Sequence, residues 1–153
     1  MNRAHNPTSM HMTRPLEWML SCMLLVWGAS MLRPEAFFDL PVYKIMGEVM
    51  TESRWGMVAA SVAVLRMVGL GINGWWRRTP VIRFIGALSG GLCWLAIGFL
   101  MLVGSYAFNT RLPAGFGWYP LCFVFEGWCV LATGYDMFKN GSLTAGAAPR
   151  NVT

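Results

Sequence analysis

A chain of 153 residues has room for one domain, yet 56% of its residues are hydrophobic and only 12% are charged. Soluble globular domains carry about a quarter charged residues, and a fold this small cannot hide so much apolar surface, so the composition excludes an ordinary soluble domain and points to a membrane. The net charge of +5 does not argue for nucleic acid, because the twelve Lys and Arg are scattered in ones and twos rather than gathered into a stripe.

Three parts are expected: a flexible tail over 1–14, a transmembrane domain over 15–139 and a second flexible tail over 140–153. In the first tail, Met10 and Met12 offer alternative translation starts, and His5 and His11 read as solvated residues rather than a soft-metal site. The apolar run that follows ends in Arg33-Pro34-Glu35, not in a small-residue cleavage site, so it is expected to be retained as a helix. That first span covers about Leu16 to Leu32, with Pro15 suited to a first helical turn and Trp18 at interfacial depth.

From Arg33 to Arg54 the chain is too charged to span. Phe37, Phe38, Val42, Ile45, Met46, Val49 and Met50 alternate with Asp39, Lys44, Glu48 and Glu52 at spacings of three and four, which predicts a short amphipathic helix lying on the membrane or capping the bundle. The second span is Trp55 to Ile72, interrupted by Arg66. Asn73, Gly74, Trp75, Trp76, Arg77 and Arg78 then form a positive turn at the headgroups, to which Arg83 is assigned as well. The third span, about Val81 to Phe108, has a small-residue face in which Gly86 and Gly90 permit close helix packing. After a Pro/Gly turn over Asn109–Gly117, the fourth span runs from Trp118 to about Phe138 and contains Glu126. The fold class is therefore all-α: a polytopic membrane protein of four transmembrane helices, with a short amphipathic helix between the first and second.

Seven Lys and Arg fall on the side of the two tails and the Trp-Trp turn, against four (Arg33, Lys44, Arg54, Arg111) on the other. The positive-inside rule then puts both termini in the cytoplasm. Arg14 with Glu17, and Asp136 with Lys139, read as solvated charges at helix ends, and Tyr106, Phe116, Trp118 and Tyr119 as an aromatic belt at the outer boundary.

Arg66 and Glu126 are the two ionisable residues expected at membrane depth. Their helices run in the same direction, and at 1.5 Å rise per residue they lie ~16 Å and ~12 Å below the outer boundary, about one turn apart. A guanidinium reaches across that offset to a carboxylate, so an intramembrane ion pair is expected. Three roles stay open: fixing helix register, lining a proton or ion pathway, or separate placement with Arg66 snorkelling and Glu126 protonated. The four cysteines, Cys22, Cys93, Cys122 and Cys129, sit in apolar runs without metal-ligand spacing and read as small core residues. No Ser/His pair, paired aspartates or His-rich cluster is present, so neither an enzyme nor a cofactor or metal is expected.

The residues Trp55, Gly56, Arg66, Ile72, Asn73, Gly74, Trp76, Arg77, Arg78, Pro80 and Arg83, together with the opening Leu16-Glu17-Trp18 and the fourth-span Tyr119-Pro120-Leu121 and Phe125-Glu126, resemble a group of small four-helix membrane proteins encoded in tailed-bacteriophage and prophage genomes. The resemblance implies a bacterial inner (plasma) membrane and carries over no activity; the role expected is that of an accessory or scaffold component. The alternatives to that role are holin-like permeabilisation or its regulation in host lysis, and a small ion, proton or solute pathway. The partners implied are the lipid bilayer and a second copy or another membrane protein, with no nucleic acid.

Overall fold

A computed structural model describes residues 13–33, 37–72 and 79–139. Among them there is no strand. The helices are α1 (Arg14–Met31), α2 (Lys44–Val49), α3 (Glu52–Gly71), α4 (Thr79–Ala107) and α5 (Trp118–Lys139), with single 3-10 turns at Phe37–Asp39 and Pro41–Tyr43. Among the described residues three helices are long and apolar enough to cross a membrane: α3, α4 over Val81–Ala107 and α5 over Trp118–Phe138. The 18-residue α1 is not among them; Arg14, Pro15 and Glu17 at its start depress its hydropathy.

Local sequence accounts for the helix ends. Pro15 occupies the first turn of α1, where its missing N–H costs nothing. At the other end of α4, Asn109 takes the left-handed conformation (φ 48°), so that Thr110 N–H reaches Ser105 O at 2.9 Å and Asn109 N–H reaches Tyr106 O. This is a Schellman-type stop with asparagine in the place usually held by glycine.

The segment between α1 and α3 is more broken than a single amphipathic helix. Its 3-10 turns and the six-residue α2 are pinned from below: the Glu52 carboxylate accepts from Phe37 N–H (3.2 Å) and Phe38 N–H (3.4 Å), and Trp55 Nε1 donates to Met46 O (3.1 Å). Val42 and Met46 are buried, and the Val42 carbonyl rests where a Cβ on Gly104 would stand, so the segment lies directly on the backbone of α4.

Contacts between named residues set the helix directions. Arg14 donates to Leu70 O and Gly28 faces Gly56, so α1 and α3 are antiparallel. Gly69 meets Ile82 and Gly86 meets Arg66, which makes α3 and α4 antiparallel; Gly98 against Tyr119 and Gly134 against Phe84 do the same for α4 and α5. The result is an up-down bundle in which α1 runs parallel to α4 and α3 to α5. Large apolar side chains face outward on every helix, among them Val26 and Leu65 (each 70% exposed) and Leu131 (71%), far more than a soluble monomer leaves uncovered.

Candidate functional site

Each long helix buries a stripe at spacings of three and four, and on each stripe the apolar sequence is broken by polar residues. On α3 the stripe is Ala59, Ala63, Arg66 and Leu70; on α5 it is Cys122, Glu126, Cys129, Thr133 and Asp136. On α4 it is Arg83, Ala87, Gly90, Trp94, Ile97 and Met101, and on α1 it is Glu17, Leu20, Leu24 and Met31, with Ser21 beside them. The charged residues therefore occupy seam positions that point at the bundle axis.

Four of them, Arg66, Glu126, Arg83 and Glu17, close on one another as two ion pairs among the described residues. Arg66 Nη1 donates to Glu126 Oε1, the side chains being 1% and 0% exposed. Arg83 donates from Nε to Glu17 Oε2 (3.0 Å) and from Nη2 to Glu17 Oε1, while Nη2 also reaches Thr13 Oγ1 at 3.1 Å. The first pair joins α3 to α5 and the second joins α1 to α4. These are the two diagonals of the bundle, pairs of helices that scarcely touch through their own surfaces, so long charged side chains bridge a gap that backbone packing leaves.

Glycine makes the space. A Cβ on Gly90 would stand 2.7 Å from Glu126 Oε1 and 3.0 Å from Arg66 Nη1, one on Gly86 3.1 Å from Arg66 Cγ, and one on Gly91 3.3 Å from Glu126 Cβ. The small-residue face of α4 is thus filled within the chain by the first ion pair. The two pairs also differ in completeness. Arg83 and Glu17 meet fork to fork, the strongest geometry for such a contact. In the other, Arg66 Nε and Nη2 and Glu126 Oε2 are buried without a partner among the described residues. A cavity of about 170 Å³ between α3 and α4 adjoins Arg66, walled mainly by Ile82, Ile85, Val62 and Gly86.

The structure brings Arg66, Glu126, Gly86 and Gly90 together. It moves two residues from where the sequence put them. Arg83, assigned to the positive turn, is 2% exposed, and Glu17, read as a solvated boundary charge, is 0% exposed; each neutralises the other inside the bundle. Asp136 is buried as well, at 8%. Asn73, Gly74, Trp75, Trp76, Arg77 and Arg78 lie outside the described residues. Of the aromatic belt, Tyr106 and Trp118 face outward, whereas Tyr119 tilts against both Trp94 and Phe116 inside. The second pair could have been found by the depth comparison that suggests the first. Glu17 is the fourth residue of α1 and Arg83 the fifth of α4, two helices that run parallel from the same end.

Among the described residues no group of three or more potential metal ligands converges. Comparison with protein-family models, with curated proteins and with solved structures gives no match.

Proposed function

We propose that this chain is a four-span protein of a bacterial inner membrane, of phage or prophage type, with both termini cytoplasmic, and that it acts as an accessory or scaffold component. The observation that carries the reading is that both ion pairs close within one chain, across the two diagonals of the bundle. Charges arranged in this way specify which helices sit opposite each other, the best-attested use of buried ionic groups. Because Glu126 and Arg66 occupy the Gly86/Gly90 face, that face is not free to dock a second copy.

The fourth span is α1. Its 18 residues extend about 27 Å, close to the hydrocarbon thickness of ~30 Å, and Glu17, one of the charges that lower its hydropathy, is neutralised by Arg83. With Arg83 withdrawn from the surface, the base count becomes six against four and still favours cytoplasmic termini. Reporter fusions should therefore be active on the outside after residues 40 and 112, and on the inside after residue 76 and at the C-terminus. Inverted readings at all four sites with the N-terminus still inside would remove α1 as a span, and inverted readings with the N-terminus outside would reverse the orientation.

Inducible expression in a bacterial host with a membrane-potential dye tests the role. At high membrane abundance the wild type should leave growth and potential unchanged, and Arg66→Gln and Glu126→Gln should lower abundance without depolarising cells. Abrupt depolarisation that these substitutions alter would replace this reading with the holin-like one. A small ion or proton pathway is the second reading, favoured by the half-used Arg66–Glu126 pair and the cavity beside it. Its signature is a graded current that follows the applied pH gradient.

A further inference from the structure

Glycine inside a helix is less favourable than alanine, and in a spanning helix its use is to let a neighbour come close. On α1, α3 and α4 every glycine short of a helix end has another residue of the chain within 3.3 Å of the place a Cβ would take. On α5, Phe84 stands 3.5 Å from that place at Gly134. At Gly127, in the middle of the same helix, nothing lies within 4 Å of it. The chain leaves room at Gly127 that its own fold does not use.

The sequence around it repeats after seven residues: Gly127-Trp128 followed by Leu131, then Gly134-Tyr135 followed by Phe138. Leu121, Val124, Trp128, Leu131, Tyr135 and Phe138, spaced alternately by three and four, form one outward strip, exposed from 41% at Leu121 to 87% at Phe138. Outward residues of α4 follow the same spacing, as any lipid-facing strip does, but the glycines beside that strip, Gly91 and Gly98, are covered by Glu126 and Tyr119 of α5. Only on α5 does an open glycine adjoin a large outward knob. In a parallel, in-register helix pair, a knob enters a hole made by four residues of the facing helix. For Trp128 that hole is Val124, Gly127, Trp128 and Leu131 of a second copy, and glycine there gives an indole the room it needs. The strip therefore fits itself.

We propose that this protein forms a two-fold dimer through α5, with Trp128 of each copy seated over Gly127 of the other. The proposal rests on the membrane-spanning reading and not on the accessory role. Copies inserted the same way meet about an axis along the membrane normal, which sets α5 parallel to α5 and each residue against its like. Depth agrees with this: Trp128 lies ~15 Å from either end of α5, whereas a tryptophan facing lipid belongs at the interfaces. Area agrees as well. Trp128, Tyr135 and Phe138 expose roughly 400 Å², and with Leu121, Val124 and Leu131 the strip comes near the ~800 Å² per partner of a standard interface.

The test places the full chain in vesicles of phosphatidylethanolamine and phosphatidylglycerol and measures energy transfer between copies labelled at the C-terminus. The wild type should associate as a dimer. Gly127→Leu, which fills the hole, should weaken association at least about tenfold, and Trp128→Ala, which removes the knob, about thirtyfold. Under copper-phenanthroline oxidation Leu131→Cys should give a disulfide-linked dimer absent from the wild type, and Leu65→Cys, an equally outward change on α3, should not. In a large detergent excess, which separates the copies, Gly127→Leu should unfold no earlier than the wild type, so that lost association is not lost folding. Extraction with alkaline carbonate reports insertion separately: protein stripped from the vesicles would overturn the spanning reading and the dimer with it. Inserted wild-type protein that stays single, or that associates no better than Gly127→Leu, would overturn the dimer alone, as would cross-linking at Leu65 in place of Leu131.

Discussion

Glu126→Leu is expected to destabilise the bundle by about 3–5 kcal/mol, the cost of breaking a buried ion pair from one side, and Arg66→Leu by distinctly less. The asymmetry comes from what each change leaves behind. With Glu126 gone, Arg66 keeps a charge it cannot lose, enclosed at 3% exposure between α3 and α4. With Arg66 gone, a lone carboxyl sheds its charge by taking up a proton, and a neutral acid inside a bundle costs only its hydrogen bonds. The double variant Arg66→Leu/Glu126→Leu removes both charges and should recover most of the loss, because apolar residues of similar volume replace buried pairs with little penalty. Thermal unfolding in detergent of the four proteins gives the coupling energy directly. Additive losses in the double variant would mean that the pair contributes nothing as a pair, and a larger loss for Arg66→Leu would show that Glu126 stays ionised in isolation. The same cycle on Glu17 and Arg83 should show stronger coupling, since that pair is bidentate and Thr13 supplies a further contact.

How much of this was legible in the sequence depends on how far apart the partners lie. Hydropathy alone exposes α3, α4 and α5, because each is an apolar run of 20 residues or more. Arg66 and Glu126 stand out because each interrupts such a run, and depth arithmetic on two helices that run the same way brings them within one turn. Glu17 and Arg83 escape notice for the opposite reason. Each sits within five residues of a helix start, where a charge ordinarily reaches water, and only the tertiary fold encloses them. The segment from Phe37 to Met50 shows the limit of periodicity. Apolar residues at spacings of three and four suit an α-helix, but 3-10 turns give nearly the same spacing, and the Phe37 and Phe38 amides held by Glu52, with Val42 seated on Gly104, decide between them. Gly86 and Gly90 were visible as a small-residue face. What fills that face was not visible, because a motif within one helix does not say whether the neighbour is another chain or a side chain of the same one.

Gly28→Ala and Gly56→Ala are each expected to cost at least about 2 kcal/mol, at the level of overpacking a dense core, although alanine is the better helix former by about 1 kcal/mol. The two helix backbones touch at this crossing. A Cβ on Gly28 would lie 2.7 Å from Ala60 N and 2.9 Å from Gly56 O, and one on Gly56 would lie 2.8 Å from Gly28 O. Backbone atoms cannot swing aside as a side-chain tip does, so a single methyl must push α1 away from α3. That movement carries Glu17 and Thr13 with it and loosens their hold on Arg83, so the loss extends beyond the crossing. Gly127 in α5 is the internal control: nothing lies within 4 Å of its would-be Cβ, so Gly127→Ala should be neutral or stabilising through helix propensity alone. Unfolding midpoints of the three variants in the same detergent, together with thiol labelling of Cys22 on α1, separate the cases. Equal behaviour of Gly28→Ala and Gly127→Ala would show that α1 and α3 do not meet backbone to backbone. A midpoint lowered by Gly28→Ala and Gly56→Ala, with faster Cys22 labelling, would make this crossing the contact that holds the first helix in the bundle.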